Sequence, residues 1–143
     1  MDRPYDLIVF GATGFTGRLV AEYLHAAHGR SSLRWALAGR SATKLAEVRD
    51  ALGLPATLPL LVADAADAKA LQGLVASTRV VITTVGPYQQ YGEPLIRACA
   101  AAGTDYVDLC GEPGWMAKMI PELDAPAKAS GARIVFSCGF DSI

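Results

Sequence analysis

The stretch GATGFTG, Gly11 to Gly17, stands directly after the apolar run Tyr5 to Phe10 and directly before a segment with helical spacing. A strand, a glycine turn and a helix start, in that order, build a place where a pyrophosphate can rest on a helix N-terminus. Gly11 allows the tight turn. Gly14 lets the backbone approach phosphates with no Cβ in the way, and Gly17 lets the helix pack closely on its strand. Thr13 and Thr16 add hydroxyl donors. The spacing is GxxGxxG rather than GxGxxG, and what gives it weight is the strand before it and the helix after it.

Outward from that turn, the pattern alternates between strand and helix. Phe15, Leu19, Val20, Tyr23, Leu24 and Ala27 keep helical spacing and predict an amphipathic first crossover helix that Gly29 closes. Leu33 to Ala38 reads as a second strand, followed by a helix that Ser41 caps and Gly53 stops, with Leu45, Val48 and Leu52 inward. Leu58 to Ala63 is a third strand, and Asp67 can cap a short helix carrying Leu71, Leu74 and Val75. Arg79 to Val85 is apolar enough for a strand buried on both faces. Gly86-Pro87 breaks it, Pro94 to Ala102 forms the next helix, and Thr104 to Leu109 a fifth strand. Between Glu112 and Gly131, Pro121 and Pro126 predict two short helices or one kinked helix, before a sixth strand at Arg133 to Ser137. Short connections and right-handed crossovers then give one α/β domain over residues 1–143. The expected architecture is a doubly wound Rossmann fold, with a six-stranded parallel sheet in the order 3-2-1-4-5-6 and helices on both faces. The ending CGFDSI leaves the sheet at its carboxyl edge with no closing helix, which predicts a fragment of a longer enzyme.

Composition narrows the partners. With 52% hydrophobic and 19% charged residues and a formal net charge of -1, the chain offers no basic field for nucleic acid and no polybasic membrane anchor. No run approaches the roughly 20 apolar residues of a membrane span, and no signal-peptide core opens the chain, so the expected compartment is the cytoplasm. Cys99, Cys110 and Cys138 lack CxxC spacing and read as reduced thiols. His25 and His28 suit the negative end of the first helix; no metal site is expected.

The carboxyl ends of the strands hold the candidate ligand contacts. Where NAD-binding members of this fold place an acid on the ribose, the chain reads Leu37-Ala38-Gly39-Arg40-Ser41. Arg40 offers a planar fork for a 2′-phosphate, and Ser41 and Lys44 add donors, so NADP is expected rather than NAD; the competing reading leaves Arg40 and Lys44 as solvated charges. Asp64 can accept from the adenine amine or serve a turn. Gly86 and Pro87 lie at the topological switch point, where a flat backbone leaves room for the nicotinamide ribose. Tyr88 walls the site or belongs to the core, and Glu112 and Asp141 face a substrate or act as caps. None of the tyrosines has a lysine four residues on, so the Tyr-x-x-x-Lys acid–base pair of short-chain reductases is ruled out within this chain. No catalytic residue is assigned.

GATGFTG, the AGRS at Ala38 to Ser41, TTVGPYQQYGEPL at Thr83 to Leu95, ACAAAGTDYVDLCGE at Ala98 to Glu112 and GARIVFSCGFDS at Gly131 to Ser142 together resemble one family. They are similar to the N-terminal domain of saccharopine dehydrogenase-like oxidoreductases, nearest to the mycobacterial trans-acting enoyl reductases of phenolic-glycolipid and phthiocerol-ester synthesis. The resemblance implies an NADP-binding domain that a substrate and dimerisation domain follows in the full protein, and hence a homodimer through that second domain. It implies that Gly11, Thr13, Gly14, Phe15, Thr16 and Gly17 hold the phosphates, Arg40 and Ser41 the 2′-phosphate, and Gly86 and Pro87 the nicotinamide side. The function expected is hydride transfer from NADPH to an enoyl or similar unsaturated acyl intermediate, a small molecule or carrier-bound. The alternatives are a saccharopine-type amino-acid dehydrogenase and a non-enzymatic NADP-binding sensor or scaffold.

Overall fold

A computed structural model describes residues 2–139. Its elements run β1 (Tyr5–Phe10), α1 (Phe15–His28), β2 (Trp35–Gly39), α2 (Ala42–Ala51), β3 (Leu60–Val62), α3 (Ala68–Ala76), β4 (Thr78–Thr83), α4 (Tyr88–Tyr91), α5 (Glu93–Ala102), β5 (Asp105–Asp108), α6 (Pro113–Ser130) and β6 (Ile134–Val135). The strands form one sheet in the order β3-β2-β1-β4-β5-β6, and every pairing is parallel. β1 is central: Val9 stands level with Leu37 of β2 on one side and Ile82 of β4 on the other.

Period-two alternation in β1 feeds two cores. Ile8 and Phe10 pack beneath α3, α5 and α6, among Leu71, Ile96, Tyr106 and Met119. Val9 packs on the opposite face with Leu24 of α1, Leu37 and Leu45 of α2. Both faces of the sheet are therefore covered over its central strands, as their apolar runs require, while Val62 of β3 and Val135 of β6 stay exposed at the edges.

Several local expectations need correction. Helix α1 turns Gly17, Ala21 and Leu24 inward, whereas Phe15, Leu19 and Tyr23 lie exposed, with Phe15 at 82%. Two interleaved stripes satisfied helical spacing, and the one that starts with Gly17 turned inward because Gly17 brings the helix against the Gly11–Ala12 backbone, where a side chain cannot enter. Of the two readings offered for the proline-bearing segment, two short helices is the one that fails: α6 is one helix of 18 residues with Pro121 and Pro126 inside it. Its buried stripe is Trp115, Met119 and Leu123, and both prolines face solvent. The carbonyls that lose a donor, at Ala117 and Glu122, belong to exposed residues, where water can replace the missing bond. The third and sixth strands are shorter than their apolar runs, and α4 is an added turn of helix where only a break was expected.

Candidate nucleotide-binding cleft

The carboxyl edge opens between β1, β2 and β4 into a cleft of about 340 Å³. Gly11 leaves β1 with φ +88°, a left-handed conformation natural to glycine, and donates its N–H to Ala38 O at 3.0 Å, while Ala12 reaches the same oxygen at 3.3 Å. The loop is thus tied to the end of β2. A Cβ on Gly17 would collide with the Gly11 carbonyl, so its role is close helix–loop packing. A Cβ on Gly14 would meet nothing nearer than Gly11 O at 3.5 Å, so this position stays bare toward the cleft.

The start of α1 is chemically unlike the other helix starts. Ser41 accepts the Lys44 N–H at 3.2 Å to cap α2, and Asp67 accepts the Ala70 N–H at 3.1 Å to cap α3. Glu112 accepts from the first N–H groups of α4, and α5 and α6 carry a proline in their first turn. Among the described residues, α1 alone opens with neither a side-chain cap nor a proline. Its first-turn N–H groups have no intrahelical acceptor, and they combine with the helix dipole to favour an anion. The geometry fits a pyrophosphate.

Arg40 lies on the rim of this cleft at the end of β2, exposed and without an ionic or hydrogen-bonded partner among the described residues. Arg3, Arg34, Arg97 and Arg133 are all engaged elsewhere. Asp64 faces Arg40 from the end of β3, but its Oδ1 already accepts the Ala66 N–H at 2.9 Å, so the turn reading holds and one oxygen remains. Gly11, Thr13, Gly14, Arg40, Asp64 and Gly86 thus share one cleft. Phe15, Thr16, Gly17, Ser41, Lys44 and Pro87 stand outside its lining: Ser41 and Pro87 are N-cap residues of α2 and α4, Lys44 is exposed on α2, and Phe15 and Thr16 are exposed at the start of α1.

The β4 side of the cleft depends on a buried framework. Tyr88 is core: its hydroxyl donates to Thr83 O at 3.1 Å and accepts from Leu109 N at 3.1 Å, and burial pushes its ionisation up to about 12. Glu112 is a cap, with Oε2 and Oε1 at 2.6 and 3.0 Å from the N–H groups of Tyr88 and Gln89. Asp141 lies outside the described residues. Two contributors escaped the sequence reading. Tyr91, 45% exposed, lines the cleft beside Val85 and Gly86. Asp108, at 1% exposure, accepts from Tyr106 Oη at 2.6 Å and from the N–H groups of Cys110 and Ser137 at 2.9 and 2.8 Å. Tyr88 and Tyr91 stand three apart in the single turn of α4, a spacing that puts both on one side of a helix, so the burial of one and the exposure of the other follows from what each meets and not from periodicity. Burial raises the ionisation of Tyr106 and of the Cys99 and Cys110 thiols, Cys99 to about 12, which leaves them protonated and inert at neutral pH.

Among the described residues no three His, Cys, Asp or Glu side chains gather as metal ligands, and no helix is long and apolar enough to cross a membrane.

The family model described as the saccharopine dehydrogenase NADP binding domain matches residues 7–135. A Mycobacterium tuberculosis protein, provisionally named a trans-acting enoyl reductase, is 54% identical over 142 residues, which cover 99% of this chain and 33% of that protein. A trans-acting enoyl reductase from Mycobacterium bovis is 50% identical over 143 residues, 99% of this chain and 34% of its own length. The chain therefore spans about a third of the length of these curated relatives. The apo structure of saccharopine dehydrogenase (L-Glu forming) from Saccharomyces cerevisiae superposes with a TM-score of 0.75 at 19% identity, covering 96% of this chain and 28% of that one, which shows the shared fold.

Proposed function

The chain belongs to the saccharopine dehydrogenase NADP-binding domain family, and from that premise we propose that its cleft holds NADPH for a reductase of enoyl or similarly unsaturated acyl intermediates. The single observation that carries the placement is the uncapped start of α1 opening into the same cleft as the unpartnered Arg40. The first-turn N–H groups of α1 bind the pyrophosphate, with Thr13 and Thr16 as added donors. Arg40 grips the 2′-phosphate through its planar fork, and Ser41 and Lys44 supply further donors beside it. The remaining oxygen of Asp64 accepts from the adenine amine, and Gly86 and Pro87 shape the nicotinamide side. When bound, NADPH supplies a hydride to one carbon of the acceptor double bond, and a proton completes the other carbon. The enoyl acceptor follows from the name that the 50–54% identical relatives share, and the remaining two-thirds of those proteins is the place for substrate contacts, the proton donor and a dimer interface.

Calorimetric titration of the chain with NADPH and NADH tests this reading. Removing a charged hydrogen-bonding group costs about 1.5–3 kcal/mol, so Arg40→Ala is expected to weaken NADPH at least tenfold and to leave NADH unchanged. Equal loss for both nucleotides would place the 2′-phosphate elsewhere.

A further inference from the structure

Tyr91 reaches the cleft from a helix of only four residues, too short to hold its own position. Two outside groups hold it. At the start of α4, the Glu112 carboxylate uses both oxygens, accepting from Tyr88 N at 2.6 Å and from Gln89 N at 3.0 Å. At its end, Gly92 stands close to the Trp115 indole, where an added Cβ would come within 2.9 Å of Cζ2. The segment bearing Glu112 is itself fixed, because buried Asp108 accepts the N–H groups of Cys110 and Ser137. A continuous set of bonds therefore runs from the end of β6, through Asp108 and Glu112, to the cleft wall formed by Tyr91.

The position of that wall defines what it meets. Arg40 and Asp64 occupy the β2–β3 side of the cleft and Tyr91 and Gly86 the β4 side, with the α1 N-terminus between them. A dinucleotide that sets its 2′-phosphate on Arg40 and its pyrophosphate on α1 carries its nicotinamide riboside to Tyr91. We propose that Tyr91 is a contact residue for the nicotinamide riboside and that Glu112 is the positioning residue that sets it. This rests on the NADPH reading above. The chemistry requires a carboxylate at 112: two N–H donors converge on it, and an amide of the same shape has one acceptor oxygen and turns an NH2 donor toward the second.

The test compares NADPH with 2′-phospho-ADP, which keeps the adenine, the 2′-phosphate and both 5′-phosphates but lacks the nicotinamide riboside. Wild type, Glu112→Gln and Tyr91→Ala are titrated with each by calorimetry. With the contact removed in Tyr91→Ala and its support removed in Glu112→Gln, both variants are expected to bind NADPH about tenfold more weakly and 2′-phospho-ADP within about twofold of wild type. Tyr91 is half-exposed, so its variant tests the contact independently of any folding defect at Glu112. Equal losses on both ligands, or no loss on NADPH in Tyr91→Ala, would overturn the inference while leaving the NADPH reading intact. A wild-type chain that binds neither ligand would overturn both.

Discussion

The two edges of this sheet are made from the same strands and treat charge in opposite ways. At the amino edge every arginine beside the strand starts is answered. The Arg3 guanidinium donates to Val75 O, Thr78 O and Ala102 O at 3.1, 2.6 and 2.7 Å and to Thr104 Oγ1 at 2.5 Å, lashing the start of β4 to the C-terminal ends of α3 and α5. Asp6 of β1 and Asp105 of β5 each accept both a backbone N–H and a guanidinium N–H from the arginine that precedes the neighbouring strand, Arg34 and Arg133. At the carboxyl edge Arg40 has no such partner among the described residues, and the start of α1 has no cap. One edge has its arginines satisfied internally; the other keeps Arg40 and the first N–H groups of α1 without such partners among the described residues, where the proposed function sets the nucleotide. Substitutions at the two edges should therefore separate stability from nucleotide affinity.

The largest effect breaks that separation. Gly17 sits at the ligand edge, yet its missing Cβ is what lets α1 dock on the loop. Gly17→Ala is expected to cost about 3 kcal/mol of stability, the upper range for overpacking, and to abolish nucleotide binding with it, both read from urea unfolding and titration. A stable variant would mean that the loop yields and that close packing is not the reason for the glycine. Arg3→Ala should behave as the amino edge demands, with about 2–3 kcal/mol lost in urea unfolding because buried carbonyls lose charged donors. Its NADPH affinity should match wild type; a shift in affinity would show that the two edges are coupled through β4.

The strand order, the alternation and the glycine turn between β1 and α1 were legible because each rests on a strong local signal: period-two apolar runs, Gly11 to Gly17, and the caps Ser41 and Asp67, both of which form. Arg40 was legible for the same reason, since its place at the end of β2 follows from spacing alone. The face of α1 was not. Phe15, Leu19 and Tyr23 carry more hydrophobicity than Gly17 and Ala21, and only the steric limit at the Gly11 carbonyl decides which stripe turns inward. For α6 the sequence left two readings open, and one continuous helix was not separable from two short ones, because a proline's cost depends on whether the orphaned carbonyl meets solvent, a tertiary fact. The contacts of Arg3, the bond from Ser137 to Asp108 and the pairing of Glu112 with α4 were invisible because these partners lie 23 to 101 residues apart in sequence. Long-range polar contacts leave no periodic trace.

Tyr88 sharpens the comparison from inside the carboxyl edge. Its ring is core and its hydroxyl bridges the ends of β4 and β5, so it belongs with the closed groups despite its place near the cleft. Tyr88→Phe is expected to cost about 1–2 kcal/mol in urea unfolding, by leaving the Leu109 N–H unpaired, and to change NADPH affinity by less than Arg40→Ala does. A larger loss of affinity than of stability would move Tyr88 into the ligand wall.

The smallest effect concerns the ion pair at the amino edge of β5. Burial alone would raise the Asp105 carboxyl, but the Arg133 side-chain and backbone bonds outweigh it and hold it below the ordinary carboxylate range. A carboxyl depressed in the folded state stabilises that state above its unfolded pKa of roughly 4, and the contribution fades as pH falls through the lower folded value. Because the Arg133 side chain is 83% exposed, solvent screens the pair and its worth is held to about 0.5–1 kcal/mol. Asp105→Asn should therefore lower stability at pH 7 by that amount and flatten the loss between pH 5 and pH 3, with nucleotide affinity unmoved. An acid limb as steep as that of wild type would assign the acid sensitivity to Asp6, whose carboxylate is held low by Arg34 in the matching position on β1. Asp6→Asn would then flatten it instead, and the stability of the amino edge would rest on the β1–β2 side of the sheet.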